Sequence, residues 1–225
     1  ALREFDEVVV ATGVVPRIPE VDGIAPGARH PKVVSYAEVL DGSVVPGRRV
    51  AVMGAGGIGV DVSHYLTHDL DESLEEWMAH WGVADPALHA GGLGEKKART
   101  PAREVYLLQR KTSTIGKGLG KTSGWAHRAV LKDSGVQMLP GVTYERVDDA
   151  GLHIRVGATD DSPGEARVLD VDHVVVCAGQ VSVRGLYDDL VAAGVSAHLV
   201  GGADVAAELD AKRAIEQGTR MAAAL

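Results

Sequence analysis

The sequence contains a single cysteine, Cys177, among its 225 residues. One thiol cannot form an internal disulfide, and by itself it cannot hold a cysteine-based zinc site or an iron–sulfur cluster. Proteins of oxidising compartments commonly use paired cysteines, so this usage favours a reducing compartment. We therefore expect a cytoplasmic protein.

Aromatic residues, long apolar runs and positive charge are also scarce. Aromatic residues make up 4% of the chain, so its core must be built from aliphatic side chains. No apolar run approaches the ~20 residues of a membrane span and no signal peptide is recognisable, so we expect no membrane partner. The chain contains 23 Lys and Arg residues and 31 Asp and Glu residues, which gives a net charge of −8. We expect no nucleic-acid partner, because such a surface needs a basic footprint.

Glycine is abundant instead, with 28 residues where the average of about 7% would give roughly half as many. Strand-like apolar runs alternate with helical patterns, and the runs lie at 7–13, 48–53, 104–108, 136–139, 172–177 and 198–200. Between them, helices are predicted at 60–68, 69–82 and 126–134, with a last one from about 206. This alternation predicts an α/β fold, with a Rossmann-like domain on a parallel sheet. Residues 142–147 and 152–156 add a small antiparallel section, and 14–47 is predicted to be a connection with one short helix near Tyr36–Leu40.

The strongest motif is a glycine loop that lies between a predicted strand and a predicted helix. Gly54, Gly56 and Gly59 form the pattern G-x-G-x-x-G. The first glycine permits a tight turn, the second lets the backbone approach a pyrophosphate, and the third packs the helix against the strand. The helix N-terminus then offers free N–H groups to the phosphates. The pattern predicts dinucleotide binding, and the alternative is an ordinary strand–helix turn.

The end of the next strand indicates which dinucleotide is bound, because an acid there would hold the ribose 2′-hydroxyl of NAD. Glu75 and Glu76 lie ~20 residues after the start of the loop, which is the usual spacing of this acid in the dinucleotide-binding motif. However, they fall within a helical pattern and not at a strand end. The next strand, 104–108, is followed by Gln109, Arg110 and Lys111. Two cations at this place favour a 2′-phosphate and therefore NADPH. The alternative is a solvated basic loop.

Residues 116–122, Gly-Lys-Gly-Leu-Gly-Lys-Thr, are one residue short of a P-loop. The segment also lies well beyond the end of its strand. We therefore expect it to fold over the cofactor phosphates rather than to bind ATP.

Gly201-Gly202-Ala203-Asp204 follows the last predicted strand and precedes a predicted helix. An acid at this position can hold a ribityl or ribose hydroxyl while nearby amides face phosphate. It can equally be a simple helix cap, and the spacing leaves both readings open.

Taken together, these motifs carry a family resemblance. The order VVVATG (8–13), GAGGIG (54–59), VVVCAGQ (174–180) and GGAD (201–204) resembles flavoproteins with two dinucleotide-binding domains. The stretches VPRIPEVDGI (15–24), LQRK (108–111), GKGLGKTSGWAHR (116–128) and AELDAKRAIEQGTR (207–220) resemble the C-terminal part of bacterial NADPH-dependent 2,4-dienoyl-CoA reductases. The resemblance runs along nearly the whole chain.

The resemblance implies a larger flavoenzyme of fatty acid β-oxidation. Its N-terminal barrel would hold FMN and the acyl-CoA. Along the chain, the cysteines of a [4Fe–4S] cluster would follow the barrel, and then an FAD domain with an NADPH domain inserted in it. The chain begins at Ala1 without Met, and we expect it to be a piece of such a protein. We predict an FAD-domain remnant and linker at 1–46, an NADP(H)-binding domain at 47–184 and a C-terminal FAD-domain segment at 185–225. By itself the chain should bind NADPH, retain FAD poorly and show no turnover.

The resemblance also carries over particular residues. The FAD-contacting segments correspond to Ala11, Thr12, Gly13 and Asp204, the NADPH segments to Gly54, Gly56, Gly57, Ile58, Gly59, Arg110 and Lys111, and the strand end on the nicotinamide side to Ala178, Gly179 and Gln180. No catalytic acid and no metal ligand can be named, because the proton donors of the family belong to the barrel. Two alternatives stay open: the nucleotide-binding region of a related amine dehydrogenase, where ADP is held structurally, and a stand-alone nucleotide-binding module.

Overall fold

A computed structural model describes residues 4–69, 71–207 and 211–225. The chain forms two compact units. The larger unit is the continuous segment Ile18–Cys177, and the smaller unit combines Ala1–Arg17 with Ala178–Leu225. The three cofactor segments predicted from the sequence, 1–46, 47–184 and 185–225, stay a prediction.

The strands and helices are numbered in chain order. The strands are β1 (Val8–Val10), β2 (Val14–Pro16), β3 (Val33–Ser35), β4 (Arg49–Met53), β5 (Glu104–Gln109), β6 (Gln137–Pro140), β7 (Val142–Asp148), β8 (Gly151–Val156), β9 (Glu165–Leu169), β10 (His173–Val176), β11 (Gln180–Ser182) and β12 (Ala197–Leu199). The helices are α1 (Tyr36–Leu40), α2 (Gly57–Thr67), α3 (Leu74–Trp81), α4 (Gly124–Asp133), α5 (Gly185–Ala192) and α6 (Ala211–Ala222).

The larger unit is organised around a five-stranded parallel sheet with the strand order β3-β10-β4-β5-β6. Its central strand β4 is fully buried from Val50 to Met53, as expected where both faces of a parallel sheet are covered. Residues of α1, α2 and α4 share one aliphatic core with Val50 and Val52. The predicted α/β fold, with a Rossmann-like parallel sheet and a small antiparallel section, is confirmed.

The antiparallel section is a three-stranded sheet in the order β7-β8-β9. The pairing of β7 with β8 was expected from residues 142–147 and 152–156, whereas β9 was not predicted. A register shift lies between Tyr144 and Arg146 in β7, which is the signature of a β-bulge.

In its described residues, the smaller unit contains two short strand pairs and the helices α5 and α6. Strand β1 pairs in parallel with β12, and β2 pairs antiparallel with β11. The sequence predicts a strand at 7–13 that is buried on both faces, and this second part is wrong. Val9 is 48% exposed, because β12 is the partner strand of β1 in a two-stranded sheet and nothing covers the outer side of this pair within the described residues.

Residues 14–47 contain more structure than the predicted connection. The short helix is present at Tyr36–Leu40, where Ser35 and Glu38 form a capping box at its N-terminus. Strands β2 and β3 are additional, and β3 is the edge strand of the central sheet. These three-residue runs between prolines carry little periodicity, so their partner strands determine their conformation. Likewise, β11 and α5 were not predicted.

The described part of α6 begins at Ala211. The sequence predicts a start near residue 206, but residues 206 and 207 are not helical, and residues 208–210 lie outside the described residues. Within the described ranges, none of the helices combines the length and the apolar character that crossing a membrane requires.

His173 fixes the turn that leads into the central strand of the sheet. The Gly47 amide donates a hydrogen bond to Nδ1 of His173 at 3.1 Å, and the Arg49 amide donates one to the neighbouring Asp172 carboxylate at 2.8 Å. Burial lowers the pKa of His173 below its ordinary value near 6.5, against the opposing effect of Asp172 and together with Lys32. The neutral ring is therefore the form that stabilises the fold.

We expect the free energy of unfolding to fall as the pH drops from 7.5 to 5.5. The unfolded chain binds the His173 proton more tightly than the folded chain, so this contribution is present above the ordinary pKa and is lost as the pH falls below it. Urea denaturation at both pH values measures the difference. His173→Gln keeps an acceptor that does not titrate, so it should reduce the difference, whereas His89→Gln, at an exposed position, should leave it unchanged. Equal pH dependence in all three chains would contradict this assignment.

Candidate functional site

The glycine loop lies at the carboxyl end of β4 and is held by backbone contacts that only glycine allows. The Gly54 amide donates to the Leu108 carbonyl at 3.0 Å, and Gly54 has a φ of +110°. A Cβ on Gly59 would lie 1.8 Å from the Gly54 carbonyl oxygen. The first and third glycines of the motif are therefore required by local geometry.

The middle of the loop is open. Gly56 is the N-cap of α2 and supplies no side-chain cap, so the amides of the first helical turn have no side-chain acceptor from it. Gly56 and Gly57 are exposed, and a Cβ on either would meet nothing within 4 Å. Ile58 is partly buried and belongs to the same turn. Free amides, a helix dipole and open space fit a pyrophosphate at this place.

The predicted cations lie beside this loop. Met53 is paired with Leu108 across β4 and β5, so the segment that follows β5 leaves the sheet next to Gly54. The loop is shaped by Gln109, whose Nε2 donates to the carbonyls of Lys111 and Ser113 at 2.9 and 2.7 Å. Arg110 and Lys111 are exposed, and neither side chain has a hydrogen bond or an ion pair with any described residue.

Glu75 and Glu76 lie in the first turn of α3, away from any strand end. Glu76 forms a capping box with Ser73, accepting from the Ser73 amide at 2.8 Å while its own amide donates to the serine hydroxyl. The prediction that these acids are not the ribose-binding acid of the fingerprint agrees with this placement.

Residues 116–122 connect the buried Ile115 to α4. Nη1 of Arg128 donates to the Gly116 carbonyl at 3.0 Å and ties the start of the segment to the helix. Lys117 and Lys121 are exposed, and their side chains have no ion pair with the described residues. The role predicted for this segment, closing over phosphates, stays a prediction.

The structure assigns the residues expected to contact FAD to the smaller unit. Ala11, Thr12 and Gly13 follow β1, and the Thr12 hydroxyl donates to the Val183 carbonyl at 2.5 Å. Gly13 has a φ of +73°, and its carbonyl accepts from the Val183 amide at 3.0 Å. The segment is thus fixed against the residue that follows β11.

Asp204 ends a 3₁₀ turn at Gly201–Ala203, also in the smaller unit. One of its carboxylate oxygens accepts from Nε2 of Gln217 on α6 at 2.7 Å, and Oε1 of Gln217 accepts from the Gly201 amide at 2.8 Å. Gln217 therefore organises this turn, and no spacing argument pointed to it.

Ala178 and Gly179 begin the second segment of the smaller unit, and Gln180 begins β11. Nε of Arg17 donates to the Ala178 carbonyl at 2.9 Å, and the Arg17 amide donates to the Gly179 carbonyl at 3.0 Å. Gly179 has a φ of +103° and lies under the guanidinium, where a Cβ would be 3.4 Å from Nε. Arg17 is a structural partner of this segment, and sequence reasoning assigned it no role.

Two further side chains approach the edge that carries the glycine loop. The Tyr144 hydroxyl donates to the Leu108 carbonyl at 3.3 Å, and the Cys177 thiol is buried at the end of β10. Burial raises the pKa of Cys177 to about 12, so the thiol stays protonated and unreactive. The sequence analysis did not single out Tyr144. A tyrosine at an inward position of a predicted strand is nevertheless a usable signal, because a buried tyrosine hydroxyl usually has a hydrogen-bond partner.

A cavity of about 430 Å³ lies elsewhere in the larger unit. Residues of α3 and the segment 97–100 line it, and none of the predicted site residues does. No group of three or more His, Cys, Asp or Glu side chains in the described part of the chain is arranged to hold a metal ion.

The parallel sheet and the glycine loop are those of a Rossmann-like dinucleotide-binding domain. The family model for pyridine nucleotide-disulphide oxidoreductases matches residues 3–210. The chain therefore belongs to the pyridine nucleotide-disulphide oxidoreductase family, whose domain implies binding of FAD and NAD(P).

Individual relatives agree with this assignment. The chain is 28% identical over 211 residues to a probable ferredoxin reductase, CtmF, of Castellaniella defragrans, covering 93% of this chain and 41% of that protein. Among solved structures, a 2-naphthoyl-CoA reductase in complex with 2-naphthoyl-CoA has a TM-score of 0.69 at 20% identity, over 96% of this chain and 26% of the other. Histamine dehydrogenase from Rhizobium sp. 4-9 has a TM-score of 0.64 at 20% identity, over 100% and 31%. The chain thus spans less than half the length of these proteins.

We expect Gly59→Ala to destabilise the larger unit by about 1–3 kcal/mol or more, because the new methyl group would overlap the Gly54 carbonyl and force the loop apart. Gly57→Ala adds the same methyl group to the same helix where it meets nothing. Urea denaturation of both variants measures the difference. Equal free energies of unfolding would show that the close approach of Gly59 to Gly54 does not constrain the loop.

Proposed function

We propose that this chain binds NADPH on its larger unit and positions the nicotinamide for hydride transfer to FAD in a flavin-dependent oxidoreductase. The observation that carries the proposal is the pair Arg110 and Lys111, two exposed cations without ionic partners among the described residues, next to an open glycine loop. Family membership supports an oxidoreductase with pyridine nucleotide and flavin cofactors.

Charge is the argument for NADPH over NADH. The chain has a net charge of −8. Among the described residues, the arginine and lysine side chains seen in ion pairs with carboxylates include Arg29, Arg49, Lys96, Arg99, Arg146, Arg155, Arg167 and Arg220. From residue 105 to residue 132, by contrast, the sequence contains six Lys and Arg residues and no Asp or Glu. A 2′-phosphate at the end of β5 would pair with guanidinium and ammonium groups there, whereas the acid that would hold a ribose diol is missing from this strand end.

The donor set of the loop fits the rest of the nucleotide. Amides at the N-terminus of α2 would bind the pyrophosphate, Gly56 would let it approach the backbone, and Gly59 would keep the helix close to β4. NADPH supplies a hydride and FAD accepts it; the role of the chain is to bind and orient these groups. Arg17 would keep Ala178, Gly179 and Gln180 in place on the nicotinamide side. Ala11, Thr12, Gly13 and Asp204 would face FAD.

The finer proposal is a 2,4-dienoyl-CoA reductase-like enzyme of fatty acid β-oxidation in the cytoplasm. It is supported by the resemblance of residues 15–24, 108–111 and 116–128. FMN, a [4Fe–4S] cluster and the acyl-CoA site would then belong to a barrel outside these 225 residues, and this barrel would be the partner of the chain.

An amine dehydrogenase region that holds ADP structurally is the second candidate. The fold shared with histamine dehydrogenase favours it. The two candidates differ in ligand preference, because structural ADP needs no 2′-phosphate pocket and no access for a nicotinamide ring. ADP and NADPH should bind equally well in the second case.

We expect Arg110→Ala to weaken NADPH binding by about 1.5–3 kcal/mol, the contribution of a hydrogen bond to a charged group, and to leave NADH binding unchanged. Fluorescence titration of the chain with each nucleotide measures both affinities. Lys132→Ala is the matched control, since Lys132 is an exposed cation without an ion pair among the described residues, in the last turn of α4.

Three outcomes would contradict the proposal: equal affinity of the unsubstituted chain for NADPH and NADH, an equal effect of the two substitutions, and ADP binding as tight as NADPH binding. The last outcome would favour the amine dehydrogenase assignment.

A further inference from the structure

Tyr144 belongs to the antiparallel sheet, yet its hydroxyl reaches the carboxyl edge of the parallel sheet. It donates to the Leu108 carbonyl at 3.3 Å. The same carbonyl accepts the Gly54 amide at 3.0 Å. One backbone oxygen therefore joins the start of the glycine loop, the exit of β5 and the phenol of Tyr144.

The surroundings keep this phenol in its protonated, donating form. Burial raises the pKa of Tyr144 above its ordinary value, and the buried Cys177 thiol adds to this effect. Arg110 and the Gly54 amide act in the opposite direction but do not outweigh burial. Two of the groups that act on the phenol belong to the proposed nucleotide site: Gly54 lies in the glycine loop and Arg110 in the cation pair after β5.

We propose that Tyr144 is a positioning residue for nucleotide binding. Its hydroxyl fixes the distance between the glycine loop and the carboxyl end of β5, so that one dinucleotide can contact both. It acts through Gly54 and Leu108 and needs no contact with the ligand. The inference rests on the proposed function, because it gives a role in nucleotide affinity to a residue of the same edge.

The hydroxyl, rather than the ring, is the group in question. Tyr144→Phe keeps the ring and removes the donor. The chain provides a matched control in Tyr106, which lies on β5 itself and donates its hydroxyl to Oε1 of Glu104 at 2.7 Å. Tyr106 and Glu104 lie toward the amino end of β5, whereas Tyr144 reaches Leu108 near its carboxyl end from β7. Tyr106→Phe therefore removes the same chemical group from a different place on β5.

The test is equilibrium binding of NADPH and NADH to the unsubstituted chain and to both Phe variants. We expect Tyr144→Phe to weaken both nucleotides by about three- to tenfold, the loss that one net hydrogen bond accounts for. The ratio of the two affinities should not change, because both ligands contain the pyrophosphate. Tyr106→Phe should stay within twofold of the unsubstituted chain.

A spectroscopic readout separates positioning from a general loss of stability. The ³¹P resonances of the bound pyrophosphate should shift in Tyr144→Phe and stay in place in Tyr106→Phe, with unfolding midpoints measured for both. If Tyr144→Phe does not fold, a second chain tests the same role. In it, the other four tyrosines are replaced and Tyr144 is labelled as 3-fluorotyrosine. Its ¹⁹F resonance should move when NADPH is added.

The outcomes distinguish the two proposals. The role of Tyr144 would be overturned by unchanged affinity and unchanged ³¹P shifts in Tyr144→Phe, or by equal losses of affinity in both variants. A ¹⁹F resonance that does not move when NADPH is added would overturn it as well. None of these outcomes would contradict NADPH binding itself. An unsubstituted chain that binds neither nucleotide would overturn the proposed function, and this inference with it.

Discussion

The architecture of the larger unit depends on the contact between Gly54 and Gly59, where helix α2 touches the strand that it follows. There is no room for a side chain at this contact, since even a methyl group on Gly59 would overlap the Gly54 carbonyl. Because Gly59 lies so close to Gly54, the first turn of α2 lies at the carboxyl edge of the sheet. The open amides at the start of α2 take their position from this contact.

Electrostatics add a second constraint on the same edge. Elsewhere the chain neutralises many of its cations with nearby acids, for example Arg49 with Asp170 and Arg99 with Glu72. At the end of β5 it leaves Arg110 and Lys111 exposed without such partners among the described residues. An unbalanced pair of charges beside free amides contributes little to folding and is suited to a polyanionic ligand, which is why this edge, and not the cavity beside α3, carries the proposed function.

The sequence predicts well those features that local chemistry determines. The glycine loop, the strand–helix alternation and the short helix with its Ser35–Glu38 capping box all follow from neighbouring residues. The features that it misses depend on distant partners. Strand β3 is a strand because β10 lies beside it, Val9 is exposed because β1 has one neighbour, and Tyr144 matters through Leu108, far away in the chain. Spacing within one segment contains no information about such partners.

The pairing of β1 with β12 also has a consequence for the order of folding. The larger unit is one continuous stretch, so all its strands are available once residue 177 has been synthesised. Strand β1 is synthesised before the larger unit but pairs with β12 only after residues 197–199 have been made, with the entire larger unit between them in the chain. Closing so long a loop is costly for an open chain, and a folded insert shortens the gap. The sheet of β1 and β12 can therefore form only after the whole larger unit has been synthesised.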